Sequence, residues 1–142
     1  MARVTHLADT SAFARLSQPL VFATAAPLIT AGRVALCAPV AFELGFSARN
    51  PDDHESIMSR LSAFESVPVT DSDHKRAIEL QGHLAEKGLH RAISLVDALV
   101  AAVAEARQLI VLHYDADFEL IAKITGQAHQ WVVERGSADN EN

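Results

Sequence analysis

Ile110-Val111-Leu112-His113-Tyr114-Asp115-Ala116-Asp117-Phe118 is the stretch that decides the fold. With Leu109 before it, the run to Leu112 is short and apolar, as suits a strand covered on both faces. It stops abruptly at two carboxylates, Asp115 and Asp117, and Phe118 then opens a helical pattern. In an open parallel sheet, ligands bind beyond the carboxyl ends of the strands. The acidic pair therefore stands where a site is expected.

Working outward, residues 4–8 and 34–37 read as further short strands, each running into a helix. Asp9-Thr10-Ser11 is a helix-opening sequence, and Pro39 suits a first helical turn. Helices are expected over 20–30, 54–66, 71–87, 94–104 and 119–125, with Gly32, Gly88 and Gly126 as stops. Residues 67–69 are the third strand expected, placed at an edge or kept short by Pro68. Residues 130–133 are the last. This alternation predicts a three-layer α/β/α sandwich with a short, mainly parallel sheet. A single domain is expected over 1–135, followed by a polar, frayed tail over 136–142.

The chain has 142 residues and a formal net charge of −6, with 49% hydrophobic residues. That balance disfavours nucleic-acid binding through a broad basic face. It leaves room for a nucleic-acid enzyme whose acidic site is neutralised by divalent cations. A single cysteine, Cys37, excludes an internal disulfide and a thiolate metal cluster. A reducing, cytoplasmic setting is expected, and no segment has the length or apolarity of a membrane span or the pattern of a signal peptide.

Three carboxylates are solitary charges in apolar surroundings. Asp9 is the only formal charge between Arg3 and Arg15, Glu43 between Arg33 and Arg49, and Asp97 between Arg91 and Glu105. Each has a plain alternative. Asp9 could be an N-cap, Glu43 could be half-exposed on an amphipathic helix, and Asp97 could complete a cap begun by Ser94. With Asp115 and Asp117 they make five, and a shared pocket would offset their burial by binding a common cation. Hard oxygen donors without a Cys/His set favour Mg²⁺ or Mn²⁺ over zinc. His83 and His90 stand too far apart for a ligand pair on one helical face. One or two such ions would activate water and neutralise phosphate charge.

The segments Leu7-Ala8-Asp9-Thr10-Ser11-Ala12, Val40-Ala41-Phe42-Glu43-Leu44, Ile93-Ser94-Leu95-Val96-Asp97-Ala98-Leu99-Val100-Ala101-Ala102 and Leu112-His113-Tyr114-Asp115-Ala116-Asp117-Phe118 together resemble PIN-domain ribonucleases, specifically the VapC-type toxins of toxin–antitoxin pairs. The resemblance runs from the first strand to Trp131. It implies that Asp9, Glu43, Asp97 and Asp115 form a catalytic acidic quartet holding Mg²⁺ or Mn²⁺, with Asp117 as a further acidic ligand. It also implies that Thr10 or Ser11 orients Asp9 through a hydroxyl. Expected partners are single-stranded or looped RNA such as tRNA or rRNA, a VapB-type antitoxin, and a second copy in a homodimer. Arg15, Arg49 and Arg91 are the candidates to contact RNA phosphates. His113 departs from the Thr or Ser common at its position. The competing readings are a metal-dependent phosphatase-like domain, which would want a Thr or Val where Glu119 stands, and a non-enzymatic interaction module in which the acids are caps and surface residues.

Overall fold

The structure, a computed structural model, describes residues 3–139. Five strands form one sheet: β1 (His6–Ala8), β2 (Val34–Leu36), β3 (Glu65–Ser66), β4 (Ile110–His113) and β5 (His129–Trp131). Their order is β3-β2-β1-β4-β5, and every pairing is parallel. The chain lays strands outward from β1 to β3, then returns to place β4 on the other side of β1. The carboxyl ends of β1 and β4 therefore flank the point where the winding reverses, the usual ligand-binding crevice of such sheets.

Among the described residues seven helices connect the strands: α1 (Thr10–Phe13), α2 (Pro19–Thr30), α3 (Ala38–Phe46), α4 (Pro51–Leu61), α5 (Asp71–Ala85), α6 (Leu95–Arg107) and α7 (Asp117–Thr125). The pleat sends alternate strand residues into two separate cores. Leu7, Ala35 and Val111 join α3, α5, α6 and α7 residues such as Val40, Leu84, Val103 and Ile121 on one face. Ala8, Val34 and Leu112 join Ala12, Val21 and Ala25 of α1 and α2 on the other, with Val132, Val133 and Ala138. Full burial of each Leu, Val or Ile contributes about 1.5–3 kcal/mol, so both layers are firmly seated. The expected three-layer α/β/α architecture is the one observed. Among the described residues no helix is long and apolar enough to cross a membrane.

The differences from expectation lie at element ends. The third strand is Glu65–Ser66 and not 67–69. Val67 still donates its N–H to Leu36 O at 2.9 Å, but Pro68 has no N–H with which to go on. The helix expected over 54–66 starts earlier, at Pro51 behind an Asn50 cap, and ends at Leu61. The helix expected over 71–87 runs from Asp71 to Ala85 and is capped by Thr70, whose hydroxyl and Asp73 form a closed capping box. The final strand is His129–Trp131, shifted one residue back from its expected start. Residues 136–139 of the expected frayed tail are docked on Tyr114, and residues 140–142 lie outside the described residues.

Candidate metal centre

Asp9 follows β1 directly and caps α1. Its Oδ2 accepts from the Ser11 N–H at 3.1 Å and from the Ser11 hydroxyl at 2.7 Å. Its Oδ1 is buried and has no hydrogen-bond partner. The N-cap alternative is thus true of one carboxylate oxygen and leaves the other unexplained. A buried acceptor without a donor is costly unless something outside the chain satisfies it.

Asp97 stands at the third position of α6. The Ser94 hydroxyl accepts from the Asp97 N–H at 3.1 Å, so the cap foreseen as an alternative is real for the backbone. The Asp97 carboxyl does not fold back on it. It faces Asp117 at the start of α7, which adds to the rise of the Asp97 carboxyl. Asp115, in the turn after β4, accepts from the Asp117 N–H at 2.9 Å.

Asp9, Asp97 and Asp115 each present a ligand oxygen, and these three oxygens lie within 4.8 Å of one another. Burial, opposed by the Ser11 contacts and assisted by the Asp115 charge, raises the Asp9 carboxyl above its ordinary range. Burial, then the charges of Asp9 and Asp115, push Asp97 up to about 8. Burial and then Asp115 raise Asp117. Without a cation, these like charges resolve their repulsion by keeping protons. An all-oxygen cluster with one bare buried acceptor could hold a hard divalent cation such as Mg²⁺ or Mn²⁺ in place of those protons.

Glu43 is not among the three clustered acids. It lies midway along α3, half-buried, and its Oε1 accepts from the Thr10 hydroxyl at 2.5 Å. The two hydroxyls after Asp9 therefore divide their work, Ser11 toward Asp9 and Thr10 toward Glu43. The three arginines differ too. Arg15 donates to Ser11 O at 2.9 Å and lies over the Tyr114 ring, so it braces the site from within. Arg49 is exposed and pairs with Asp53 at 3.5 Å. Arg91 is exposed on the turn before α6.

Two further residues shape the site in ways the sequence did not specify. His113 is fully buried; its Nδ1 accepts from the Asp115 N–H at 3.1 Å, and its Nε2 meets His129 Nδ1 at 2.8 Å. The Asp115 donor fixes the tautomer, so Nε2–H donates to His129. Where a hydroxyl residue was the expected neighbour, an imidazole acceptor holds the turn. Tyr114 is the second, and its N–H donates to the Ser11 hydroxyl at 2.8 Å.

Residues 7–124 match the model of the PIN domain. The chain belongs to the PIN-domain family, among the VapC ribonucleases. Ribonuclease VapC51 of Mycobacterium tuberculosis is 45% identical over 134 residues, which span 94% of this chain and 97% of that protein. VapBC2 from Rickettsia felis, solved bound to a DNA fragment from its promoter, superposes with a TM-score of 0.74 at 18% identity, covering 90% of this chain and 99% of that one. VapBC-5 from Mycobacterium tuberculosis, a member of the VapBC family of toxin–antitoxin systems, is 29% identical with a TM-score of 0.58 and covers 92% and 97%.

Proposed function

We propose that this PIN-domain protein is a Mg²⁺- or Mn²⁺-dependent endoribonuclease, the toxin of a toxin–antitoxin pair, cutting single-stranded or looped RNA such as tRNA or rRNA. The observation that carries this is the meeting of Asp9, Asp97 and Asp115 from three distant segments, with Asp9 Oδ1 buried and bare. A bound divalent cation supplies water activation and neutralisation of phosphate charge. The residues' own tasks follow from their contacts. Asp9, oriented by Ser11, would present Oδ1 as a ligand. Asp97, with Asp117 beside it, would give up its proton on loading, and Asp115 would complete the set. Glu43, held by Thr10, would add a carboxylate at the edge. Arg49 and Arg91, both exposed, would meet RNA phosphates at the rim. No serine, cysteine or histidine nucleophile is needed.

The relatives' names support the ribonuclease reading, and the VapBC assemblies support a VapB-type antitoxin as partner. Exposed Phe42 and Phe46 on α3, at 76% and 85%, and Ile78 and Leu95 on α5 and α6 leave apolar surface for an antitoxin and for a second copy of the chain. An RNA substrate puts the work in the cytoplasm.

The test incubates the protein with total RNA and with p-nitrophenyl phosphate, each with Mn²⁺ or EDTA. RNA cleavage that needs the cation, falls at least about a hundredfold in Asp9→Asn and Asp97→Asn, and leaves the phosphate ester intact is the expected result. Cleavage unchanged in both variants would overturn the reading.

A further inference from the structure

Tyr114 stands one residue before Asp115, yet the proposed chemistry does not use it. It is only 7% exposed. Its phenol donates to Asp139 Oδ1 at 2.6 Å and accepts from the backbone N–H of Gly136 at 2.8 Å and of Ala138 at 3.0 Å. The Arg15 guanidinium lies 4.7 Å from the ring centroid, and Trp131 meets the ring edge-on at 5.3 Å. Ala138, 2% exposed, packs into the same core. One hydroxyl thus gathers three hydrogen bonds from a four-residue segment. That segment lies beyond residues 7–124, which carry the family match.

The backbone of Tyr114 is tied to the site. Its N–H donates to the Ser11 hydroxyl, and that hydroxyl spends its only proton on Asp9 Oδ2. A continuous path therefore runs from Asp139, Gly136 and Ala138 through Tyr114 and Ser11 to Asp9. Asp115 is the next residue of the same turn. The position of Tyr114 is a common reference for two of the three clustered carboxylates.

We propose that residues 136–139 form a C-terminal clasp, and that Tyr114 is a positioning residue through which the clasp fixes Asp9 and Asp115 before a cation arrives. The proposal rests on the metal reading of the acidic cluster. A ligand set held in place beforehand binds more tightly, because less ordering remains to be done on binding. Releasing the phenol would let the turn relax, and the Asp9 and Asp115 oxygens would lose their common reference. The clasp acts on metal affinity and on the order of the turn, not on the bond-breaking step.

The full-length protein, Tyr114→Phe, Asp139→Ala and the control Ser137→Ala are compared. The Ser137 hydroxyl donates to Glu134 O, three residues back and away from the phenol. Mn²⁺ binding is measured by calorimetry, and amide exchange at residues 114–117 is followed in EDTA. Loss of phenol hydrogen bonds should raise the Mn²⁺ dissociation constant about three- to tenfold in Tyr114→Phe. Exchange at Asp115 and Asp117 should quicken, with Asp139→Ala moving both in the same direction by less and Ser137→Ala moving neither. If Tyr114→Phe does not fold, Asp139→Ala carries the comparison. Unchanged affinity and exchange in the variants, whatever their melting temperatures, would overturn the clasp. A parent protein that takes up no Mn²⁺ would sink the metal reading instead, and amide exchange would still decide the clasp.

Discussion

Asp97 is the side chain whose chemistry its surroundings alter most. Burial, then Asp9 and Asp115, raise its carboxyl from 3.8 to about 8. The folded, metal-free protein therefore keeps a proton that the unfolded chain releases. That contribution is fully present below the unfolded value and disappears as pH climbs toward 8. His113 has the opposite sense: burial, then His129, push its imidazole from 6.5 down to about 3. Its contribution is present above 6.5 and is lost as pH falls toward 3. The two windows overlap between pH 3.8 and 6.5, where their opposite slopes offset each other, so metal-free protein should melt highest across that range and fall off on either side. Thermal melts in EDTA from acid to alkaline pH check this. Asp97→Asn should flatten the alkaline limb and raise the melting temperature there by roughly 3 °C or more, given the size of the domain. An alkaline limb that survives the substitution would mean that the Asp97 proton is not its source. The isolation of Asp9 and Asp97 in apolar sequence was visible from the residues alone. The division of Asp9 into a capping oxygen and a bare one was not, because it depends on where Ser11 and Tyr114 meet in space.

The helix beginnings show how similar local sequences part company. Thr70 to Asp73 and Ser94 to Asp97 are the same three-residue step from hydroxyl to acid. At α5 both halves close: Asp73 Oδ2 accepts from the Thr70 N–H at 2.8 Å and also meets Arg107 at 3.3 Å. At α6 only the backbone half closes, and the carboxyl turns to Asp117. Partners from distant elements make the difference, so no local pattern could have told the structural acid from the site acid. Strand positions and helix cores were legible because period-2 and period-3.6 patterns are set by burial. Ends such as the early stop of α4 were not, since they depend on turn geometry. Ser94→Ala should lower stability by about 1 kcal/mol, the usual worth of an N-cap, while RNA cleavage persists. Asp73→Asn should lower it further, because it breaks the capping box and weakens a buried ion pair, and should also leave cleavage in place. Denaturant melts and cleavage rates on the two variants separate these effects. Loss of cleavage in Asp73→Asn with the fold intact would show that α5 takes part in the site.

Across the whole molecule, the charge balance raises the question of how an acidic protein engages RNA. The net charge is −6, and most arginines with a mapped partner already face an acid or a carbonyl. Arg76 bonds Glu79 and Glu105, Arg107 bonds Asp73 and Pro68 O, Arg135 bonds Glu119, and Arg33 bonds Arg3 O. These four are therefore already engaged within the chain. Each phosphate neutralised by a side chain contributes about −0.7 to the slope of log affinity against log salt on a single strand. With Arg49, Arg91 and one lysine in contact at the rim, the slope should be about −2. Attraction would then come chiefly from the cation-loaded acidic cluster, whose charge the arginines do not supply. Initial cleavage rates at limiting RNA, at fixed Mn²⁺ and rising KCl, measure this slope directly. A slope steeper than about −5 would mean that a basic surface forms in the complex, for instance across two copies of the chain, and that the rim arginines are not the main phosphate contacts.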